Sequence, residues 1–194
     1  MTLKKKEQGE IAFGFGGPPP KEIDELHVTS LGNVILTLRP IRKGDERMLR
    51  EFLLAQPKDA LEFRFNHEMS DEDIKKYAKN AVETSLESQI LLAMTREGKL
   101  AGFCQYSTPP LEEPHLSILV GKDHEGAGAG RELLLRTIQM AKSDGITQLE
   151  VDINPDNKKA ISFFSRYQDD PALNYALEEV GSSKDIKAYL MRFK

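Results

Sequence analysis

Residues Leu119–Lys142 read "LVGKDHEGAGAGRELLLRTIQMAK". A short apolar run enters a glycine-rich loop, and the loop passes straight into an amphipathic helix. That order aims the backbone N–H groups of a helix start at one point in space, where they attract an anion. Which anion the loop meets depends on the segments around it.

Composition sets the frame. A chain of 194 residues allows one well-cored domain and would crowd two. With 39% hydrophobic and 30% charged residues it has the balance of a soluble globular protein. A formal net charge of −4 gives no basic footprint, so a nucleic-acid partner is not expected, and a cationic partner such as an amine suits the sign better. The single cysteine, Cys104, has no partner for an internal disulfide, and a cytoplasmic setting is expected. "MTLKKK" is followed by polar "EQGE", so no signal peptide is expected. No apolar run approaches the ~20 residues of a membrane helix, and no membrane partner is expected. The expected assembly is a monomer or a homodimer.

Residues 1–35 stand apart as an N-terminal extension. In "IAFGFGGPPP" the residues Ile11, Phe13 and Phe15 alternate before three prolines, the pattern of a strand-like arm on a sheet edge or of a partly flexible segment. Residues 36–194 carry the regular signals of one domain. Val34 to Leu38 reads as a strand ended by Pro40 and Gly44. Asp45 is placed to cap a helix with Leu49, Phe52 and Leu53 on its apolar face, stopped by Pro57. "SDEDIKKYAKNAVET" begins with Ser70 three residues before Asp73, like a capping box, and Ile74, Tyr77, Ala81 and Val82 form one stripe. "QILLAMT" and "KLAGFCQYS" form a hairpin through Glu97-Gly98, and "HLSILVG" is a third run. A helix from about Gly128 to Ser143 follows, with Leu134, Ile138 and Ala141 inward and Gly145 as a left-handed cap. "QLEVDIN", "NKKAISFFSRY" and "KAYLMRF" then read as strand, helix and strand. The order β-α-α-β-β-β-α-β-α-β defines a mixed α/β (α+β) fold around one mostly antiparallel central sheet flanked by helices.

Two nucleotide motifs fail on the loop. Gly121 and Gly126 have phosphate-loop spacing, but Ala127 stands where the lysine must be. Gly126-x-Gly128 is followed by Arg131 where the dinucleotide pattern requires glycine. What remains is a strand, then "EGAGAG" (Glu125 to Gly130), then a helix. This resembles the pyrophosphate loop of the GCN5-related N-acetyltransferase superfamily, and a plain glycine-rich turn is the alternative. The resemblance runs from about Leu36 to Arg166. "LTLRPIRKGDERMLREFL" looks like that family's first strand and helix, and with "EFRFNHEMSDEDI" is closest to its bacterial protein-lysine acetylating branch.

The resemblance implies acetyl-CoA as co-substrate and an amine acceptor. It implies that Glu125, Gly126, Ala127, Gly128, Ala129, Gly130 and Arg131 surround the pyrophosphate. Leu119 and Val120 then lie along pantetheine, with an oxyanion donor at a backbone N–H near Val120. Asn154, Asn157 and Ala160 in "NPDNKKAISFF" face the pantetheine arm, and the strands ending at Gly121 and starting at Leu149 run parallel and splay apart. Two positions depart from the family pattern. Glu125 replaces a usual donor, and a carboxylate ~4 Å from a phosphate charge costs about 1 kcal/mol in water and about 4 at intermediate screening. It must turn away or be offset, by Lys122 or Arg131. Phe164 stands where many members have the tyrosine that protonates the leaving thiolate, and Phe has no proton to give. Its position still borders the cofactor in this reading. The last 28 residues match poorly, "YQDDPALNYALEEVGSS" replacing the usual Leu-Gly-Phe.

Attack of a neutral amine on a thioester needs a base, an oxyanion donor and pre-positioning. The resemblance puts a glutamate base at the start of the third run, where "EEPHLSILV" has His115. An imidazole, titrating near about 6.5 when unperturbed, suits that role. Alternation puts His115, Ser117 and Leu119 on one face and Leu116, Ile118 and Val120 on the other. Glu113 and Glu112 are the substitutes, and an exposed strand end is the alternative for His115. Tyr167, three residues past Phe164, is a candidate acid or a packed tyrosine. No metal is expected, since His115 and His124 are too far apart along the chain and His67-Glu68 lacks a second histidine. Two functions follow from different classes: an N-acetyltransferase, or a CoA-binding module with weak or no turnover.

Overall fold

The computed structural model of the protein describes residues 26–29, 35–83, 88–107 and 114–194. The Ile11–Phe15 alternation, Val34, and Glu112 and Glu113 lie outside the described residues.

Strands β1 (Leu26–Thr29), β2 (Ile35–Pro40), β3 (Ser88–Thr95), β4 (Leu100–Ser107) and β5 (Leu116–Val120) pair in that order, every neighbour antiparallel. Helices α1 (Glu46–Leu54), α2 (Lys58–Phe65) and α3 (Asp71–Glu83) lie between β2 and β3. A single 3₁₀ turn, Lys122–His124, leads from β5 towards α4 (Ala129–Ser143). Then come β6 (Gln148–Ile153), α5 (Lys158–Tyr167), β7 (Tyr175–Ser182) and β8 (Lys187–Phe193). These last strands form a second antiparallel ladder in the order β6-β8-β7.

One continuous sheet was expected, and the structure has two ladders touching at one point. The contact is a parallel bridge between His115 and Glu150, where the Glu150 N–H donates to the Pro114 carbonyl at 2.8 Å. Beyond it β5 and β6 share no rung. The apolar core nevertheless spans both. Leu36, Leu38 and Leu91 from the first ladder pack with Leu149, Val151 and Met191 from the second, under Leu133, Leu134 and Ile138 of α4. Each such side chain contributes about 1.5–3 kcal/mol when fully buried. The opposite face of the first ladder is covered by Leu49, Phe52 and Leu53 of α1 and by Ile74, Ala78 and Ala81 of α3, which meet Leu92, Phe103 and Leu119. β5 therefore divides as its alternation predicts, Leu119 to one core and Leu116, Ile118 and Val120 to the other.

Local chemistry explains the helix ends. Ser70 Oγ accepts from the Asp73 N–H at 3.2 Å and Asp73 Oδ2 accepts from the Ser70 N–H at 3.1 Å, so the expected reciprocal cap forms. Gly145 has φ +80 and Ile146 N–H returns to Ala141 O at 2.9 Å, ending α4 in a left-handed cap. Asp45 occupies the N-cap position of α1, but its side chain accepts no cap bond from the helix. Its carboxylate is held by Arg39, at 2.6 and 2.8 Å, and by the Arg42 N–H at 2.7 Å. Two elements differ from the sequence expectation. α2 forms in "KDALEFRF" although only Leu61 is fully buried, and β7 forms in the replaced segment with only Tyr175 fully buried.

Candidate active site

The β4–β5 ladder fixes which backbone groups of β5 are free. Gly121 N–H donates to Ala101 O at 2.8 Å and Ser107 N–H to His115 O at 2.9 Å. In an antiparallel pair such bonds fall on alternate residues. Odd-numbered residues of β5 thus turn their polar groups to β4, and Leu116, Ile118 and Val120 turn theirs to the opposite edge, towards β6. With pairing to β6 confined to the bridge, that edge offers the N–H and C=O of Ile118 and Val120 to an extended ligand.

At the end of this edge lies the glycine loop. Gly126 and Gly128 have φ +74 and +84, a region that L side chains rarely adopt. No N–H from Gly126 to Arg131 donates to a described acceptor, and the first helical bond of α4 is Glu132 N–H to Gly128 O at 3.1 Å. A strand edge with free amides therefore ends at a helix start with free amides. Gly130 has a different reason to be glycine. A Cβ there would sit 3.0 Å from the Phe163 ring, so its absence lets α4 start against α5.

The charged residues of the loop are balanced differently from the expectation. Glu125 does turn away, to Lys159 of α5, with Oε2 2.8 Å from Nζ. That hydrogen bond raises the Lys159 ammonium above its ordinary range. Arg131 does not offset Glu125. Its guanidinium binds Asp170 at 2.7 Å and Glu132 at 2.7 Å. The hydrogen bond from Arg131 holds the Asp170 carboxyl below its usual value.

Asn154 and Asn157 form the turn into α5. Asn154 Oδ1 accepts from the Asp156 N–H at 2.9 Å, and Asn157 Oδ1 accepts from the Ala160 N–H at 3.0 Å as the N-cap. Their amide NH₂ groups carry no bond to a described residue. Phe164 requires a correction: it is 2% exposed and belongs to the core, its carbonyl accepting from the Tyr175 hydroxyl at 2.6 Å. The aromatic against the loop is Phe163. Tyr167 packs edge-on to Phe163, centroids 5.1 Å apart, and its hydroxyl has no hydrogen bond with a described residue.

His115 stands at the bridge between the ladders, its side chain 52% exposed. Its N–H donates to Ser107 Oγ at 2.7 Å. Its Nε2 lies 3.9 Å from Glu150 Oε2, and ligand atoms of His115, Glu150 and Asp152 lie within 4.8 Å of one another. Because Leu149, Val151 and Ile153 face the core, Glu150 and Asp152 share the opposite face of β6. The sequence reading missed both carboxylates. Their signal is the alternation of "QLEVDI", which becomes informative only once His115 is known to lie beside it. Glu113 lies outside the described residues.

A mixed α/β layout with a free strand edge running into a glycine-started helix gives a site for an extended ligand that ends in an anion. The acetyltransferase (GNAT) domain family matches residues 36–167. The chain belongs to this family and is an acetyl-CoA-dependent N-acetyltransferase. Its fold is similar to that of the GNAT domain of S. lividans PAT, at 19% identity and TM-score 0.72, with 87% of this chain and 97% of that one covered. It is similar to the PaiA N-acetyltransferase from Thermoplasma acidophilum, solved with coenzyme A, at 15% identity and TM-score 0.60, covering 81% and 99%. The spermidine N-acetyltransferase from Vibrio cholerae, solved with CoA and spermine, is similar at 16% identity and TM-score 0.58, covering 81% and 95%. No helix among the described residues is long and apolar enough to cross a membrane.

Proposed function

We propose that this acetyltransferase acts on a primary amine that approaches from the His115 face of the sheet, and that the amine is a lysine side chain. The observation that carries the site is the run of free amides from Ile118 and Val120 to the start of α4. Acetyl-CoA supplies the acetyl group as a thioester. In this reading the N–H groups of Gly126 to Arg131 hold the pyrophosphate, and Leu119, Val120, Asn154 and Asn157 border the pantetheine arm. His115 takes a proton from the ammonium, with Glu150 and Asp152 drawing the cation to it. The freed nitrogen attacks the carbonyl carbon, the Val120 N–H receives the developing oxyanion, and the C–S bond breaks. Tyr167, packed on Phe163, is the candidate acid for the departing thiolate, since Phe164 is in the core. The resemblance of "LTLRPIRKGDERMLREFL" and "EFRFNHEMSDEDI" to the lysine-acetylating branch supports lysine as the acceptor. Residues 36–194 carry this activity, and β1 (Leu26–Thr29), from the stretch read as an N-terminal extension, adds an edge strand to the same sheet. The lone thiol Cys104, buried and pushed up to about 11 by that burial, fits a cytoplasmic protein.

Thiol release from acetyl-CoA in the presence of free amines, lysine peptides and whole proteins tests the reading. It also separates the enzyme from a CoA-binding module without turnover. Acetyl-CoA at about 100 times Kd raises the melting point by about 5–11 °C. Gly128→Val abolishes that shift, because a branched side chain cannot take φ +84 beside a phosphate. Absence of any shift in the unaltered protein would sink the proposal.

A further inference from the structure

The face of the sheet that carries His115 also carries Arg64 of α2. Arg64 Nη2 donates to Gln105 Oε1 at 3.0 Å and lies 3.4 Å from the Tyr77 hydroxyl. The Tyr77 hydroxyl itself donates to Gln105 Oε1 at 2.7 Å. The cluster is therefore short of acceptors. A guanidinium brings five N–H donors and Tyr77 one, and the acceptors they meet are Gln105 Oε1 and the Tyr77 oxygen. Arg64 Nε is buried with no hydrogen-bond partner. Arg64 makes no ion pair with any described residue, whereas Arg39 and Arg131 are each held by a carboxylate. The rings of Phe65 and Phe103 lie 4.7 and 5.3 Å from its guanidinium carbon and keep the cation in place without neutralising it.

Its position relates it to the acceptor. Gln105 is opposite Ser117 in the β4–β5 ladder, and Ser107, on the same face of β4, is opposite His115. Two residues of strand separate these pairs, about 7 Å. One face thus presents an acidic end, Glu150 and Asp152 beside His115, and a cationic end at Arg64. A polyamine would satisfy the first and leave the second unpaired.

Resting on the acetyltransferase reading, we infer that the acceptor amine carries a carboxylate nearby and that Arg64 binds it. The carboxylate belongs either to a free amino acid or to an acidic side chain neighbouring an acceptor lysine. A guanidinium fork matches two carboxylate oxygens, which fixes the distance of the amine from His115.

The test compares matched acceptors. One arm uses 6-aminohexanoate and its carboxamide; the other uses lysine peptides with Asp or Asn beside the lysine. In at least one arm kcat/KM favours the carboxylate by about tenfold or more. Arg64→Gln removes that preference by lowering the carboxylate rate while the amide rate stays within about twofold. Arg64→Lys, which keeps the charge and loses the fork, gives an intermediate preference. Equal rates on carboxylate and amide in both arms overturn the inference, as does a preference that survives Arg64→Gln. Calorimetric binding of the same compounds, with and without CoA, separates the two proposals. Arg64-dependent binding of carboxylates without acetyl transfer to any amine removes the acetyltransferase reading alone. Binding that ignores both the carboxylate and Arg64 removes this one.

Discussion

Lys159 of α5 holds Glu125 of the glycine loop at 2.8 Å, so the carboxylate that departs from the family pattern is balanced by a residue from the next helix but one in chain order. The pair is exposed, 82% on the lysine side and 46% on the glutamate side, and its effect is modest and salt-dependent. Lys159→Ala should weaken acetyl-CoA binding up to about fivefold at low salt, by leaving an uncompensated negative charge beside the proposed phosphate site. Adding Glu125→Gln should restore it, and calorimetry on the four members of the cycle measures the coupling. An affinity that Lys159→Ala leaves unchanged at low salt means that the pair is ornamental.

His115→Ala should lower turnover by about 10²–10⁴-fold and leave the acetyl-CoA dissociation constant unchanged, because the base acts on the amine. Glu150→Gln should raise KM for the amine more than it lowers kcat, since its role is to draw the cation. Steady-state kinetics on one acceptor checks both. Turnover unaffected by His115→Ala would hand the base role to Glu113, Glu112 or a water chain.

Asp170 gives stability a pH dependence of known sign. The Arg131 hydrogen bond depresses its folded-state pKa below the unfolded value of 3.8. A depressed carboxyl stabilises the fold above the unfolded pKa, and the benefit is lost as pH falls through the lower, folded pKa. Asp170→Asn should therefore melt below the unaltered protein at pH 7, and the difference should close below about pH 4. Melting curves of the two proteins between pH 7 and 3 decide it. A gap that stays constant over that range contradicts the ion-pair origin.

Phe164→Ala should destabilise by about 3–5 kcal/mol through the cavity left in the core. Phe164→Tyr, which restores the residue type common at that position in the family, should supply no catalytic acid. It should instead cost about 1–3 kcal/mol, because the hydroxyl is buried without an arranged partner. Denaturant melts and thiol-release rates on the two variants separate packing from chemistry. A rate gain in Phe164→Tyr would show that this ring reaches the cleft.

What could be read beforehand follows how local each signal is. The β3–β4 hairpin, the Ser70–Asp73 cap and the Gly145 cap are settled by residues within a few positions of one another, and all three formed as expected. Asp45 looked like a cap because the residues after it are helical; it was claimed by Arg39 from the preceding strand. β7 was hidden because Tyr175 alone anchors it, while Glu178 and Glu179 leave it looking like a loop. In α2 the apolar residues Ala60, Leu61, Phe63 and Phe65 do not share a face, and only packing against β5 and Tyr77 gives the segment its conformation. The glycine loop was legible because backbone conformation is written directly in glycines. The Glu150 and Asp152 side of the site was not, since those carboxylates acquire meaning from a strand earlier in the chain.

The lone rung at His115 also makes the protein its own reporter. Amides in a paired ladder exchange with solvent deuterium only when the ladder opens, so those of Ser117 and Leu119 should be slow. The amide of Ile118 lies between them and that of Val120 lies between Leu119 and Gly121, whose own N–H is held by Ala101; neither has a ladder acceptor, so both should exchange fast in the free protein. An alternating slow-fast pattern along five residues would be a fingerprint of the gap. Its collapse to uniform protection would signal that an occupant has completed the sheet, without any need to know the occupant's chemistry or to see turnover.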